Sequence, residues 1–190
     1  MDGSENKSRV RSTIILLSGP IASGKSTIAR ELMLTHGYRS ISSGNYLRET
    51  LGARGRPITR EELQNFGDQL DQETNYEWLT ENISRKAIED HTQKKWILDS
   101  VRKVEQISSH RKLLETSIIH VHLIAPAEEL KSRYDSRNKS SELEYKKAKS
   151  HSNEKNTENL ITVADLIFDT SESSTTEICE LIIQRAGSTQ

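Results

Sequence analysis

The sequence is poor in cysteine, proline, aromatic residues and long hydrophobic runs, and two of these scarcities exclude whole classes of protein. It contains one cysteine, three prolines and 5% aromatic residues, and hydrophobic residues make up only 33% of its 190 positions. A single cysteine, Cys179, excludes an internal disulfide and a cysteine-ligated metal cluster. No apolar run reaches the ~20 residues of a membrane-spanning helix. We therefore expect a cytoplasmic protein outside the membrane, with Cys179 as a small core residue.

The chain also lacks an excess of positive charge. Lysine and arginine together number 27 against 28 aspartate and glutamate residues, which gives a net charge of −1. Domains that bind nucleic acid are usually basic, so we do not expect a nucleic-acid partner. The polar residues 1–12 contain no apolar stretch of a signal peptide and are interpreted as a flexible tail. Residues 13–187 have the length of a single domain.

Short apolar, β-branched runs alternate with longer helical segments along the chain. Strands are predicted at 13–18, 38–42, 95–100, 117–125 and 164–170. Helices are predicted at 25–36, 104–115, 126–137 and 174–186, with a mostly helical stretch from 43 to about 91 that is broken at GARGRP. Strands that alternate with helices form a parallel sheet with helices on both faces. We therefore predict an α/β fold with five parallel strands.

The stretch GPIASGKS, residues 19–26, follows the first strand and opens the first helix. It matches the phosphate-binding loop G-x-x-x-x-G-K-[ST] in the strand-loop-helix context that this motif requires. Glycines let backbone N–H groups converge on phosphate oxygens, and the helix N-terminus adds its dipole. The lysine of the motif reaches the β and γ phosphates, and the serine hydroxyl ligates Mg²⁺. The pattern predicts a P-loop NTPase fold that binds ATP and Mg²⁺ through Gly19, Ala22, Ser23, Gly24, Lys25, Ser26 and Thr27.

Several other segments resemble motifs of the P-loop nucleoside and deoxynucleoside monophosphate kinases. ISSGNYLRE (41–49) is similar to the monophosphate-binding segment of adenylate kinases, and WILDSVR (96–102) is similar to the motif at their third strand. SRYDSRN (132–138) resembles the start of their lid. GRPITREELQNFGDQL (55–70) and VADLIFDTS (163–171) look most like phage-type deoxynucleotide kinases and archaeal kinase-like proteins. The resemblance covers nearly the whole chain.

The resemblance implies an acceptor-binding helical segment at about 43–91 and a lid at about 133–157. It implies that the acceptor phosphate is held by Ser43, Gly44, Arg48 and Arg102. Asp99 would join Ser26 at the metal, and Arg133 would lie over the adenine of the donor. The catalytic residues that it implies are Lys25, Asp99, Arg102 and Arg137. Arginine suits such positions because a guanidinium donates two parallel hydrogen bonds to a phosphate.

Three positions depart from the family pattern. Asn45 stands where adenylate kinases usually have aspartate, and Ser100 replaces the glycine after the strand-3 aspartate. The second half of the lid, SHSNEKN (150–156), lacks the usual arginine–aspartate pair. Lys149, Lys155 or His151 would have to substitute, and lysine does not form the two-pronged phosphate contact of arginine. These departures predict a slow kinase, an unusual acceptor or a regulatory role.

The sequence thus predicts an ATP- and Mg²⁺-dependent kinase whose acceptor is a nucleoside or deoxynucleoside monophosphate. A dephospho-coenzyme A kinase fits less well, because that family typically has an aspartate in the second-strand segment. A nucleotide-binding module that regulates a protein partner, a kinase of nucleic-acid ends and a homodimer stay open. His120 and His122 share a strand face without a third ligand, so no metal site is predicted there. Trp78 and Trp96 are expected to pack or to line the cleft.

Overall fold

Five parallel strands form one sheet in the order β2-β3-β1-β4-β5. The computed structural model describes residues 12–89, 92–99, 101–138 and 156–188. The strands are β1 (Thr13–Ser18), β2 (Arg39–Ile41), β3 (Lys95–Asp99), β4 (Ser117–Ile124) and β5 (Leu166–Asp169). Neighbouring strands pair in parallel throughout. The predicted α/β fold with five parallel strands is therefore confirmed.

The α-helices of the described residues are α1 (Lys25–His36), α2 (Ser43–Ala53), α3 (Arg60–Glu73), α4 (Arg85–Glu89), α5 (Val104–Leu113), α6 (Ala127–Asn138) and α7 (Thr175–Gly187). Several of them begin or end at residues that satisfy terminal backbone groups. Gly37 ends α1 with a φ of +71°, a conformation that suits glycine. Thr59 begins α3 by accepting a hydrogen bond from the backbone N–H of Glu62 at 3.1 Å. These local signals explain why the predicted helix bounds lie close to the observed ones.

The continuous apolar sequence of β1 is explained by burial on both of its faces. Ile14 and Leu16 lie in one core cluster, Ile15 and Leu17 lie in the other, and all four are 0% exposed. The first cluster packs α2, α3 and α5 against the sheet, and the second packs α1 and α7. A strand covered on both faces has no polar alternation. Cys179 is 1% exposed in the second cluster, which confirms it as a core residue.

The predicted start of the last strand differs from the structure. The last strand begins at Leu166 and not at residue 164. The carboxylate of Asp165 accepts a hydrogen bond from the backbone N–H of His120 at 2.7 Å, in the place of a ladder partner.

The predicted acceptor-binding segment is divided at GARGRP into α2 and α3, as expected. After α3 the chain forms a π-helical turn, Thr80–Ser84, that leads into α4, and a 3₁₀ helix, Asn156–Val163, precedes β5. Trp78 and Trp96 are both buried, in line with their predicted packing role. Residues 1–11 of the predicted tail, Ser100 and residues 139–155 of the predicted lid lie outside the described residues. Within the described ranges, no helix combines the length and apolarity needed to cross a membrane.

Candidate active site

The carboxyl ends of β1, β3 and β4 meet at one edge of the sheet. The strand register pairs Leu17 of β1 with Asp99 of β3, and Ser18 of β1 with His122 of β4. Open parallel sheets bind their ligands at this edge. The predicted phosphate-binding loop starts at the next residue, Gly19, so the sheet places the loop beside Asp99.

The loop requires glycine where its backbone is most crowded. Gly19 has a φ of +139°, and a Cβ at this position would lie 2.4 Å from the carbonyl oxygen of Leu123. Gly24, with a φ of +95°, directly precedes α1, and Ala22 also has a positive φ, 65°. Ser23 is buried, and its Oγ has no hydrogen-bond partner within the part of the chain that the structure describes. A curled backbone above a helix N-terminus, with an unpaired buried hydroxyl, fits a bound phosphate.

The lysine of the motif lies over its own loop. Lys25 Nζ donates to the carbonyl oxygens of Gly19 at 2.8 Å and Pro20 at 2.9 Å. Its ammonium is therefore held at the side of the loop where the phosphate-binding motif places the anion. Thr27 stands one turn into α1 and lines a second cleft described below.

Ser26 and Asp99 place two hard oxygen ligands side by side. Ser26 Oγ donates to Asp99 Oδ2 at 3.4 Å. Burial raises the pKa of Asp99, and Lys25, the Ser26 hydroxyl and Arg102 partly offset that effect. Mg²⁺ is bound by oxygen ligands and in nucleotide sites takes only one or two protein groups. The hydroxyl and the carboxylate therefore fit the predicted magnesium site.

A cleft of about 210 Å³ lies between α2, α3 and the end of β3, and we call it the α2–α3 cleft. It brings together the four residues that the resemblance assigned to the acceptor, which are Ser43, Gly44, Arg48 and Arg102. Arg48 Nη1 donates to Asn45 Oδ1 at 3.2 Å. Asn45, which stands where adenylate kinases usually have aspartate, thus still accepts a hydrogen bond from Arg48 through its neutral amide.

Helix α3 supplies polar side chains to this cleft that the sequence interpretation missed. Arg60, Gln64, Asp68 and Asp71 all line it. They stand at i, i+4, i+8 and i+11, so they share one face of the helix. This polar stripe was the sequence signal that could have identified these residues. The buried Phe66 lies on another face of the helix, so the polar face was free to line a cleft.

The inner corner of the α2–α3 cleft is an ion-paired network around Asp71, which is 3% exposed. Its carboxylate accepts hydrogen bonds from Trp78 Nε1 at 2.7 Å and Gln106 Nε2 at 3.0 Å. Lys103 Nζ lies 2.8 Å from both Asp71 Oδ2 and Asp68 Oδ1. Burial alone would lower the pKa of Lys103, but the two carboxylates more than offset this and raise it. Lys103 therefore stays charged beside Asp68 and Asp71.

A second cleft, of about 240 Å³, lies between α1 and α7, and we call it the α1–α7 cleft. Arg133 lines it and is held in place by Thr170, whose Oγ1 and carbonyl oxygen accept at 2.7 and 2.9 Å, and by Glu129 at 2.7 Å. Thr170 and Ser173 also line the cleft, and the sequence interpretation assigned them no role. The resemblance of VADLIFDTS to kinase sequences was the signal that pointed to this segment.

The remaining predicted site residue lies at the limit of the described chain. The backbone of Arg137 is part of α6, but its side chain lies outside what the structure describes. Residues 139–155, where nearby lysines were expected to replace the missing arginine, are outside it as well. The predicted roles of Arg137 and of the lid stay predictions.

The two histidines of β4 share one hydroxyl directly beneath the loop. Ser18 Oγ lies 2.6 Å from His120 Nε2 and 2.8 Å from His122 Nδ1. Burial, together with the neighbouring His120 and Lys25, lowers the pKa of His122 to about 4. His122 is therefore neutral at physiological pH and adds no positive charge next to Lys25.

Solved structures share this fold at low sequence identity. TT1252 from Thermus thermophilus matches with a TM-score of 0.61 and 19% identity, over 94% of this chain and 98% of that chain. YorR from Bacillus subtilis, solved in complex with phosphorylated GDP, has a TM-score of 0.54 and 20% identity, over 92% and 95%. A shikimate kinase from Acinetobacter baumannii, solved with shikimate, has a TM-score of 0.53 and 18% identity, over 95% and 96%. No match was found among curated proteins.

One domain family matches most of the chain. The family AAA_18, described as an AAA domain, matches residues 15–159. This span begins inside β1 and includes the phosphate-binding loop, the α2–α3 cleft and Asp99. With the sheet order and the kinase structures that share the fold, the match confirms the P-loop NTPase fold that the loop predicted. The chain therefore belongs to the AAA_18 family of AAA domains.

Proposed function

We propose that the protein is an ATP- and Mg²⁺-dependent kinase that transfers a phosphoryl group to a nucleoside or deoxynucleoside monophosphate. The main support is the continuity between the phosphate-binding loop and the α2–α3 cleft. Arg102 lines the cleft, and its charge acts on Asp99 together with that of Lys25. A cleft that contains arginines beside a phosphate-binding loop suits an enzyme that brings two phosphate groups together.

The loop side of the site would hold the donor. Lys25 binds the outer phosphates, and Ser26 and Asp99 hold the magnesium ion. When bound, Mg²⁺ neutralises charge that develops on the phosphate oxygens. The α1–α7 cleft would take the adenine, with Arg133 fixed along its wall by Thr170 and Glu129.

The cleft side would hold the acceptor. Arg48 and Arg102 bind the acceptor phosphate and turn one of its oxygens toward the donor. That oxygen is already ionised near neutral pH, so the reaction needs positioning and charge stabilisation and no strong general base. Arg60 is a third guanidinium in the same cleft and adds to its preference for an anion.

Two of the fold neighbours illustrate the range of ligands that this fold takes. YorR was solved with phosphorylated GDP, and the Acinetobacter enzyme was solved with shikimate, which offers a hydroxyl and a carboxylate. The arginines of the α2–α3 cleft favour an anionic acceptor, but they do not by themselves distinguish a nucleotide from a carboxylate such as shikimate. Shikimate is therefore the appropriate comparison acceptor in a test.

The test is product analysis after incubation with ATP, Mg²⁺ and each of a panel of ribo- and deoxyribonucleoside monophosphates, with shikimate alongside. We expect a nucleoside diphosphate from at least one monophosphate and no phosphorylated shikimate. ATP binding without turnover of any acceptor would instead support the nucleotide-binding regulatory module. Phosphorylated shikimate alone would contradict the proposed acceptor class.

Two variants separate the donor site from the acceptor site. Lys25→Ala should lower transfer on the order of a hundredfold or more, because it removes a charge that acts on the transferred phosphate. Arg48→Ala should mainly raise the KM for the acceptor and leave the KM for ATP nearly unchanged. Arg30→Ala, an exposed arginine on α1, is the matched control. An Arg48→Ala protein with unchanged acceptor kinetics would show that the acceptor does not use this cleft.

A further inference from the structure

The α2–α3 cleft is lined by groups of both charges. Arg48 and Arg102 line it together with Asp68 and Asp71. We propose, on the basis of the kinase function above, that the acceptor is a nucleoside monophosphate whose base has an exocyclic amino group, and that the Asp68 carboxylate recognises that group. The monophosphates of cytosine and adenine belong to this class, whereas those of uracil and hypoxanthine do not.

Asp71 does not have the hydrogen-bonding capacity left for this role. Its side chain is 4% exposed and already accepts from Trp78 Nε1, Gln106 Nε2 and Lys103 Nζ. An ionised carboxylate accepts about four hydrogen bonds, so three protein donors nearly fill it. Asp71 instead fixes Lys103 and Trp78 in position.

Asp68 has both the access and the capacity. It lies on the same face of α3 as Asp71, and its side chain is 35% exposed where it lines the cleft. Lys103 Nζ, at 2.8 Å from Oδ1, is its hydrogen-bond donor among the described residues. A second donor from a ligand can therefore reach this carboxylate without displacing a protein group.

The local charge favours an amino edge over a carbonyl edge. Among the described residues, Lys103 is the ammonium group bonded to Asp68 and Asp71, and its raised pKa keeps it protonated. Within this group of three side chains, two carboxylates face one ammonium, so the group has a net negative charge. A base that presents N–H donors gains a charge-assisted hydrogen bond there, and one that presents a carbonyl oxygen meets like charge.

The backbone at the end of β3 sends two adjacent cations in different directions. Lys103 has an extended conformation, φ −137° and ψ 144°, and successive side chains of an extended chain point to opposite sides. Arg102 acts on Asp99, near the site of transfer, whereas Lys103 binds Asp68 and Asp71. In the proposed pose, the acceptor phosphate binds at Arg102 and the base lies at Asp68.

Apolar side chains also line the cleft. Leu47, Leu63 and Leu79 do so together with Trp78, whose ring stacks on Tyr46 at 5.8 Å between centroids. A flat base suits such apolar side chains, and the polar groups that line the same cleft then fix its orientation.

Matched acceptor pairs test the inference. CMP and UMP differ by an amino group against an oxo group at one ring position, with the adjacent ring nitrogen unprotonated in CMP, and AMP and IMP differ in the same way. We expect kcat/KM to favour the amino member of the preferred pair by about 10- to 100-fold, the range of one hydrogen bond to a charged group. Asp68→Asn should reduce that ratio by about tenfold, through a higher KM for the amino member. Glu61→Gln, an exposed carboxylate-to-amide change on the same helix that does not line the cleft, should leave the ratio unchanged.

The outcomes distinguish this inference from the kinase proposal. Equal use of both members, or a ratio unaffected by Asp68→Asn, would overturn the role of Asp68 and leave the kinase standing. If no monophosphate is phosphorylated, the kinase proposal fails, and calorimetric binding of the same pairs still decides the inference. Should Asp68→Asn fail to fold, as judged by its thermal midpoint, the ratio measured on the unmodified protein decides it.

Discussion

The hydroxyl of Ser26 donates to Oδ2 of Asp99 at 3.4 Å, although 73 residues separate the two along the chain. The contact joins the first turn of α1 to the end of β3. It exists because β1 and β3 are neighbours in the sheet, with Leu17 opposite Asp99. One hydrogen bond thus links the phosphate-binding loop to the strand that leads into the α2–α3 cleft.

Asp99→Asn should separate activity from stability. Burial raises the pKa of Asp99 because it removes water from the charged carboxylate, which lowers the stability of the fold. A neutral amide at this position carries no such desolvation penalty for charge. We expect an unchanged or higher thermal midpoint and a weaker dependence of the rate on Mg²⁺. We also expect the rate of phosphoryl transfer to fall about a hundredfold. The measurement is the initial rate as a function of Mg²⁺ concentration, beside a melting curve. Glu105→Gln, an exposed change on α5, is the control, and wild-type Mg²⁺ dependence in Asp99→Asn would argue against a metal role.

Gly19→Ala should disable the loop. A Cβ would lie 2.4 Å from the Leu123 carbonyl oxygen at a φ of +139°, so the backbone must move before any side chain fits. We expect loss of detectable nucleotide binding by calorimetry and a lower thermal midpoint. Gly187→Ala is the matched control, since a Cβ there meets no heavy atom within 4 Å. Wild-type binding by Gly19→Ala would refute the loop geometry.

Lys103→Met should destabilise the protein through Asp71. Removal of the ammonium leaves a carboxylate that is 3% exposed without its cation. Breaking a buried pair in this way costs about 3 kcal/mol in the free energy of unfolding, measured by urea denaturation. Adding Asp71→Asn to Lys103→Met should recover part of that loss, because the uncompensated charge is then gone. Lys112→Met, on the exposed end of α5, should change little, and an equal loss there would mean that the Asp71 pair is not responsible.

Acid should destabilise the fold through its buried histidines. Burial lowers the pKa of His110, His120 and His122 below the ordinary 6.5, in the last case to about 4. The unfolded chain therefore binds more protons than the folded chain between about pH 6.5 and 4, so the free energy of unfolding falls as pH falls through that window. Each histidine contributes a slope of up to about 1.4 kcal/mol per pH unit.

Urea midpoints at pH 7.5, 6.5, 5.5 and 5.0 measure this slope. His122→Asn keeps an acceptor near Ser18 but cannot titrate, so its stability should depend less steeply on pH. A slope equal to that of the unmodified protein would show that His122 is not among the groups responsible.

Local patterns were enough to predict most of the elements. The bounds of β1 and α1 were predicted to the residue, because an uninterrupted β-branched run, a glycine-rich loop and Gly37 are all signals within a few residues of one another. The break between α2 and α3 was predicted for the same reason, from the glycines and the proline of GARGRP. The start of β5 was not predicted, because it depends on the hydrogen bond that the backbone N–H of His120 donates to the Asp165 carboxylate, 45 residues away.

The sequence by itself determined where this chain forms strands and helices and where it forms a phosphate-binding loop, because those features depend on neighbours three or four residues apart. The tertiary structure alone decided which distant side chains share a site. It placed Asp99 against Ser26, turned the polar stripe of α3 toward Arg48 and Arg102, and paired Lys103 with Asp68 and Asp71. Strand order and helix packing set these contacts, and both depend on burying apolar surface from the whole chain at once.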